Sequence, residues 1–222
     1  MLRMALDRRP VRSTPGVRFA KLLGTGDGRT FAARDTDPRH WALLVAWDDE
    51  RSADAFEDSR TVRAWGAISE EVLRVRLRPL ASRGSWSGRV PFGDPRSGRT
   101  AGPVAAVTRA RVKTSRWRTF WKAVPPVSTD LAGRAGLVLA MGIGEAPIGL
   151  QGTFSLWSDS DSLREFAHRG AAHAAAISAT SEFDWYAEEL FARFAVERAE
   201  GSYRGTPVDL TGEDAPPGTG TR

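Results

Sequence analysis

Cysteine is absent from this chain of 222 residues, and only three of its 32 basic residues are lysine. The absence of cysteine excludes disulfides, zinc–thiolate and iron–sulfur centres, and a thiol nucleophile. No apolar run reaches the roughly eighteen residues that a transmembrane helix needs. The segment before Pro10 lacks the apolar core of a signal peptide. These absences predict a cytoplasmic protein without a membrane-spanning helix, with peripheral contact to a membrane surface left open.

Arginine supplies nearly all of the positive charge, and the formal net charge is +5. A basic balance raises the possibility of a nucleic-acid partner. The arginines are interleaved with acids, however, and Arg74, Arg76 and Arg78 alternate as one polar face of a strand would. The aromatic motif of common RNA-binding modules is also missing. We therefore expect a solvated, arginine-rich surface and no nucleic-acid partner.

One sequence pattern occurs twice along the chain. The offset between the copies is 118 residues at Gly24, 110 at Trp47 and 117 at Glu71. Such a period is too long for a solenoid. This indicates a two-fold pseudo-repeat of one small unit. The matched pairs are Trp47–Glu50 with Trp157–Ser160, Glu71 with Glu188, Gly84–Gly88 with Gly201–Gly205, and Gly24–Gly26 with Gly142–Gly144.

Hydrophobic periodicity predicts an α+β fold built from tandem ferredoxin-like repeats. The first half contains strands at Val17–Leu23, Trp41–Trp47 and Glu71–Leu80, a turn at Gly24–Gly28, and one helix from about Ser52 to Trp65 with Asp48 as its N-cap. The second half contains strands at Pro103–Val112, Gly136–Met141, Gly152–Trp157 and Glu188–Glu197, with helices at Ser115–Val124 and Asp161–Ser178. The second half therefore has the complete β-α-β-β-α-β order.

Four regions follow from this organisation: a first half at 1–88, a linker at 89–101, a second half at 102–205 and a disordered tail at 206–222. We expect Trp86 and Phe92 to be exposed beside the linker, which is rich in glycine, proline and serine. The first half lacks a counterpart of the first strand and has little of the first helix. Because that strand is central in a ferredoxin-like sheet, we expect the natural start to lie further upstream.

Three histidines are the candidate ligands or acid–base groups. His40 lies in a turn-rich segment, where a surface role is the default. Helical spacing places Phe166, Gly170, His173 and Ile177 on one face of the predicted Asp161–Ser178 helix, among alanines. Small residues around an imidazole leave room for a flat ring system, as a haem with one axial histidine requires. A hydrogen-bonded core histidine is the alternative that the pattern by itself favours.

Trp117, Phe120 and Trp121 form one apolar face of the predicted Ser115–Val124 helix. Core packing explains such a face most simply, and the alternative is the wall of a channel for a long apolar substrate. Other catalytic patterns are missing from the sequence. There is no serine–histidine–acid spacing, no phosphate-binding glycine loop that opens a helix, and no metal cluster spaced for zinc or non-haem iron.

Ordered motifs between Pro15 and Val196 resemble those of a known family. They are Gly84–Gly88, Gly102–Ala110, Phe120–Pro125, Gly142–Pro147, Gln151–Trp157, the helix that carries Phe166 and His173, and Trp185–Phe194. Together they resemble the spheroidene monooxygenase family of carotenoid biosynthesis. That resemblance implies a haem-dependent oxygenase, similar to the dimeric α+β barrel haem proteins, in which one duplicated chain forms the barrel.

The resemblance also implies an activity and a set of site residues. The activity is the introduction of a keto group into an acyclic carotenoid by successive hydroxylation, using O₂ and an external electron donor. It assigns haem b to His173 as iron ligand, with Phe166, Gly170 and Ile177 beside it, and makes Arg109 a candidate distal catalytic group. Trp117, Phe120 and Trp121 would contact the carotenoid, which we expect to arrive from a membrane surface. The alternatives are a non-catalytic protein that binds haem or a lipophile, and a cofactor-independent monooxygenase of the same fold.

Overall fold

The computed structural model describes residues 6–26, 36–95, 98, 100–112, 133–145, 152–169 and 186–212. The described strands are β1 (Val17–Gly26), β2 (Thr36–Trp47), β3 (Leu73–Gly84), β4 (Val104–Val112), β5 (Leu137–Gly144), β6 (Gly152–Trp157), β7 (Tyr186–Tyr203) and β8 (Thr206–Thr211). The described helices are α1 (Arg8–Arg12), α2 (Glu50–Glu57), α3 (Arg60–Gly66) and α4 (Ser160–Arg169). The predicted mixture of strands and helices is confirmed.

All eight strands belong to one antiparallel sheet. Its order is β2-β1-β5-β6-β4-β7-β3, with β8 paired to β7. Within the second half β4 therefore lies between β6 and β7, the central position expected for its first strand. The ring of Trp86, which follows β3, lies 5.7 Å from the ring of Phe19 on β1. Because β1 and β3 are far apart in the strand order, the sheet curls to bring its two ends together.

The two halves meet where β1 pairs with β5. Gly24 pairs with Gly144, Thr25 with Ile143, and Gly26 with Gly142. These are the glycine motifs that the sequence repeat matches to each other, so a local two-fold axis passes between Thr25 and Ile143. The predicted turn at Gly24–Gly28 is wrong for its first three residues, because they continue β1 in order to make this pairing.

Alternate strand residues face one apolar interior, as the pleat requires. The opposite face carries the helices: Phe56 of α2 packs there with Ala20 and Val11. Phe166 of α4 packs in the same way in the second half, against Trp157 and Leu80. The interior cluster includes Phe19, Leu23, Trp86, Phe92, Ala105, Val107, Met141, Ile143, Leu190 and Phe194.

The predicted single helix in the first half is wrong, because α2 and α3 are separate. The Ser59 hydroxyl accepts a hydrogen bond from the Val62 amide at 3.2 Å and so begins a second helix. The cap of α2 is Asp49 rather than Asp48, since Asp49 Oδ1 accepts from the Ser52 amide at 2.8 Å. Serine and aspartate favour caps over helix interiors, and this preference overrides the apolar periodicity.

Two further expectations about loops are corrected. Thr206–Thr211, expected to be disordered, forms β8 on the free side of β7. Trp86 and Phe92, expected to be exposed, are 1% and 8% exposed and belong to the interior core. In addition, β3 continues past Pro79 to Gly84, and a register shift between Pro79 and Ala81 accommodates the missing amide. The other region boundaries stay predictions.

Candidate functional site

Four charged side chains interrupt the apolar interior. Lys21 and Arg109 are only 5% and 4% exposed. Such deep burial of cations is costly unless carboxylates accept their hydrogen bonds. The partners are Glu145, which directly follows β5, and Glu188 near the start of β7. We call Lys21, Arg109, Glu145 and Glu188 the charged cluster.

Glu188 anchors Arg109. Arg109 Nη1 donates to Glu188 Oε2 at 2.5 Å, and its guanidinium lies 5.3 Å from the ring centroid of Trp86. Glu188 Oε1 also accepts from Ser85 Oγ at 3.0 Å and from the Gly88 amide at 2.7 Å. Desolvation raises the pKa of Glu188, but the hydrogen bonds from Gly88 and Arg109 outweigh it and bring the pKa to about 2. Glu188 is therefore ionised at neutral pH.

Glu145 connects the two buried cations. Lys21 Nζ donates to Glu145 Oε2 at 2.6 Å and to Ser87 Oγ at 2.7 Å. The indole Nε1 of Trp86 donates to Glu145 Oε1 at 2.6 Å, and Arg109 Nη2 lies 3.6 Å from the same oxygen. Desolvation raises the pKa of Glu145, but the hydrogen bonds from Lys21 and Trp86 lower it overall. The two cations and two anions cancel in formal charge, leaving fixed dipoles in an apolar interior.

A second polar cluster occupies the matching place in the first half. Glu71, the repeat partner of Glu188, accepts from the Arg204 and Gly205 amides at 2.8 and 3.0 Å and from Ser202 Oγ at 2.9 Å. Where Glu188 binds an arginine, Glu71 Oε1 lies 2.6 Å from His40 Nε2. We call Asp37, His40 and Glu71 the histidine cluster. It links β2 to Glu71, two residues before β3, and β2 and β3 are the two end strands of the described sheet order.

His40 is held in its protonated form. Its Nδ1 lies 2.8 Å from Asp37 Oδ2, so both ring nitrogens face carboxylate oxygens, which can only accept. Desolvation lowers the pKa of His40, but the hydrogen bonds to Glu71 and Asp37 outweigh it and raise the pKa. The pKa values of Asp37 and Glu71 are lowered to about 2.

These shifts predict a pH-dependent stability that the His40→Gln variant lacks. A raised histidine pKa stabilises the folded state fully below the unfolded pKa of about 6.5, and this contribution is lost as pH rises through the folded pKa. We expect a loss of about 1 kcal/mol, the size of a partly exposed ion pair. Urea unfolding from mildly acidic to mildly alkaline pH measures it. Identical pH profiles for wild type and His40→Gln would contradict the assignment.

The predicted site residues have different outcomes. Arg109 faces the interior from β4, as an inner-strand residue should. The predicted place of Phe166 beside a cofactor stays a prediction. Its ring lies 5.4 Å from that of Trp157, and Phe56 makes the same contact with Trp47 at 5.2 Å in the other half. That contact belongs to the helix–sheet packing shared by both halves. The remaining predicted residues lie outside the described residues, and their roles stay predictions: Trp117, Phe120, Trp121, Gly170, His173 and Ile177.

Sequence reasoning missed Lys21, Trp86, Glu145 and Glu188. Two signals could have revealed them. A lysine inside the apolar strand at Val17–Leu23 is unusual in a chain with three lysines. Glu71 and Glu188 also occupy matched places before two similar glycine–serine–aromatic hairpins. In the structure each glutamate accepts amides of the hairpin in the other copy: Glu188 from Gly88, and Glu71 from Gly205.

The described part of the chain shows neither a metal-binding cluster nor a membrane-spanning helix. Residues 6–26, 36–95 and the later described ranges contain no group of three or more His, Asp or Glu side chains that could hold a metal ion. None of their helices is long and apolar enough to cross a bilayer. Neither result bears on the residues outside those ranges.

Similarity to known proteins identifies the family. No protein-family model matches the chain. Spheroidene monooxygenase of Rhodobacter capsulatus is 38% identical over 91% of this chain and 85% of its own length. The Rubrivivax gelatinosus protein of that name is 39% identical over 88% and 75%, and the Cereibacter sphaeroides protein is 32% identical over 91% and 63%. The chain is accordingly an enzyme of the oxygenase class. It belongs to the spheroidene monooxygenase family.

Proposed function

We propose that this protein is a carotenoid monooxygenase that introduces a keto group into an acyclic carotenoid of the spheroidene type. The observation that carries the proposal is the identity of 38–39% to two proteins named spheroidene monooxygenase, over about nine-tenths of the chain. The inner face of the curled sheet is lined by apolar side chains, the kind of surface that a hydrocarbon substrate contacts. The buried charged cluster is the polar element that an oxygenation site in such an interior needs.

The proposed chemistry is two hydroxylations at one allylic methylene carbon. Each consumes one dioxygen molecule, two electrons from an external donor and two protons, and releases one water. The resulting geminal diol loses a further water and becomes the ketone. The carotenoid chain is uncharged, so its binding energy must come from apolar contacts. Polar side chains are needed only where dioxygen is reduced.

Arg109 is the residue to which we assign the polarisation of dioxygen. Its guanidinium is fixed by Glu188 and Glu145 and by the face of Trp86, so it cannot turn away from the interior. Lys21 contributes a second fixed cation through Glu145. Donors held in place before the reaction stabilise developing negative charge without reorganising.

Haem b is the proposed cofactor, and His173 is the residue that would bind its iron. His40 is a poor candidate for binding the haem iron, because both of its ring nitrogens already contact carboxylates. The candidates left are therefore His168 on α4 and His173 beyond it. When bound, haem would supply the activation of dioxygen, and the chain would supply the ligand, the apolar enclosure and substrate placement. Phe166, Gly170 and Ile177 are proposed to lie beside the ring.

We also propose that the two halves are tandem ferredoxin-like units that form one α+β barrel. The local two-fold axis between β1 and β5 supports this arrangement. So do the matched hairpins, in which Ser85 and Ser202 donate their amides to Glu189 and Val72 at 2.8 and 3.0 Å. In this arrangement both halves contribute to each cluster: Lys21 of the first half binds Glu145 of the second, and Glu71 of the first half accepts from Ser202 of the second.

Hemin titration tests the cofactor, and turnover tests the reaction. Wild type should develop a Soret band, His173→Ala should lose or shift it, and the matched variant His168→Ala should keep it. Wild type with hemin, a reductant and spheroidene should then yield a keto carotenoid by chromatography. Turnover by hemin-free protein would contradict the haem assignment in favour of a cofactor-independent monooxygenase. A Soret band without turnover would indicate a non-catalytic binding protein.

A further inference from the structure

Two short segments of the described chain carry a local excess of positive charge. Residues 6–12 and 59–68 together contain five arginines and one aspartate, a formal charge of +4. The first segment includes α1 and the second includes α3. We call their exposed surface the basic face; its arginines are Arg8, Arg9, Arg12, Arg60 and Arg63.

The two segments form one surface. Trp65 Nε1 of α3 donates to Asp7 Oδ2, directly before α1, at 2.7 Å. Val11 of α1 is 1% exposed and packs in the same outer core as Val62 and Trp65 of α3. The arginines of both helices therefore sit on a rigid platform above the sheet.

The cations of the basic face are available to a partner. Arg8, Arg9, Arg12 and Arg60 are exposed and form no ion pair with any residue in the described ranges. Arg63 is bound only to a backbone carbonyl, that of Asp58. The basic strip on β3 differs, because each of its arginines pairs with an acid: Arg74 with Glu57, Arg76 with Asp54 and Arg78 with Glu197.

Two apolar side chains project among these cations. Leu6 and Ile68 are 62% and 60% exposed, which is unusual for large aliphatic residues here. They flank the hydrogen bond between Asp7 and Trp65, since Leu6 precedes Asp7 and the Ile68 amide donates to the Trp65 carbonyl at 3.0 Å. Exposed aliphatic groups on the same two segments as exposed arginines match the boundary between lipid headgroups and acyl chains.

We propose that the basic face docks the protein on the surface of an anionic lipid bilayer. The guanidinium groups would meet lipid phosphates, while Leu6 and Ile68 enter the acyl boundary. A single-stranded nucleic acid fits less well, because Trp65 is bound to Asp7 and packs edge-on against Trp41, which leaves no open aromatic platform for stacking. This inference goes beyond the proposed reaction and does not depend on it.

Vesicle flotation with the full chain tests the docking. Wild type should bind phosphatidylglycerol-containing vesicles, release from them in high salt, and bind pure phosphatidylcholine weakly. The Arg8→Gln/Arg9→Gln/Arg12→Gln variant should bind about 100-fold more weakly, since each arginine near an anionic surface contributes about 1 kcal/mol. The Leu6→Ser/Ile68→Ser variant should also bind more weakly while keeping the salt dependence of wild type.

A charge-matched variant separates the basic face from net charge. Arg83→Gln/Arg164→Gln/Arg198→Gln removes three exposed arginines elsewhere and should bind as wild type does. Circular dichroism establishes that all variants are folded. The proposal is overturned if wild type ignores anionic vesicles, if the charge-matched variant loses as much binding, or if an RNA oligonucleotide binds through Arg8, Arg9 and Arg12 while vesicles do not. Each of these readouts is independent of turnover and of hemin.

Discussion

Replacing Glu188 with alanine is expected to lower the free energy of unfolding by about 3–5 kcal/mol, the usual effect of removing one member of a buried ion pair. The substitution leaves Arg109 without the carboxylate bound to its Nη1, in a site where Arg109 is 4% exposed. It also removes the acceptor of the Gly88 amide and of Ser85 Oγ. Chemical denaturation at neutral pH measures the loss.

Glu71→Ala is the matched control, because Glu71 holds the equivalent hairpin. The side chains of Glu71 and His40 are 21% and 25% exposed, against 8% and 5% for Glu188 and Arg109. Water can therefore replace the lost partner, and we expect a cost of about 1–2 kcal/mol. Arg109→Leu/Glu188→Leu should be more stable than Glu188→Ala, since it removes both charges. Equal losses for Glu71→Ala and Glu188→Ala would contradict the assignment of a buried cluster.

The second large effect is expected for Gly84→Ala, which should cost about 3 kcal/mol or more. Gly84 has a φ of +90°, and an added Cβ would lie 2.1 Å from the carbonyl oxygen of Glu189. Neither that backbone carbonyl nor the Ser85 amide that donates to it at 2.8 Å can move without breaking the start of the hairpin. Thermal and urea denaturation would both record the loss.

Gly88→Ala, four residues further on, isolates the steric part of this effect. Gly88 also has a positive φ, +68°, but nothing lies within 4 Å of an added Cβ. We expect only the backbone cost of about 1 kcal/mol. Should Gly88→Ala prove as damaging as Gly84→Ala, the close approach to Glu189 would not be the cause.

The mixture of strands and helices could be predicted from the sequence because the signals that begin these elements are local. Glycines that require a positive φ recur at matched positions: Gly16 and Gly136 have φ values of +78° and +77°, and in each an added Cβ would lie 2.2 Å from a helix serine hydroxyl. The backbone amides of those serines, Ser52 and Ser162, donate to the carboxylates of Asp49 and Asp159 at 2.8 and 2.7 Å. Local conformational needs of this kind leave a visible trace in residue order.

The charged cluster could not be predicted in this way, because its members come from four places in the chain. Lys21 and Glu145 are 124 positions apart, and Arg109 and Glu188 are 79 apart. The pairing of β1 with β5 and of β4 with β7 brings each of these two ion pairs together, and the curl of the sheet adds Trp86 to both. Trp86 lies in a stretch of glycine, serine and arginine whose composition is typical of a linker. Its indole nevertheless donates to Glu145, and the guanidinium of Arg109 packs over its ring.

The source of the oxygen atom in the product tests the proposed monooxygenase reaction most directly. Hemin-loaded wild type would be incubated with spheroidene, a reductant and dioxygen enriched in the heavy oxygen isotope, and the carotenoids analysed by mass spectrometry. Both hydroxyl groups of the geminal diol would come from dioxygen. The ketone should therefore carry the label, whichever hydroxyl leaves as water. An unlabelled ketone, or unchanged spheroidene with folded and hemin-loaded protein, would contradict the proposed monooxygenase activity.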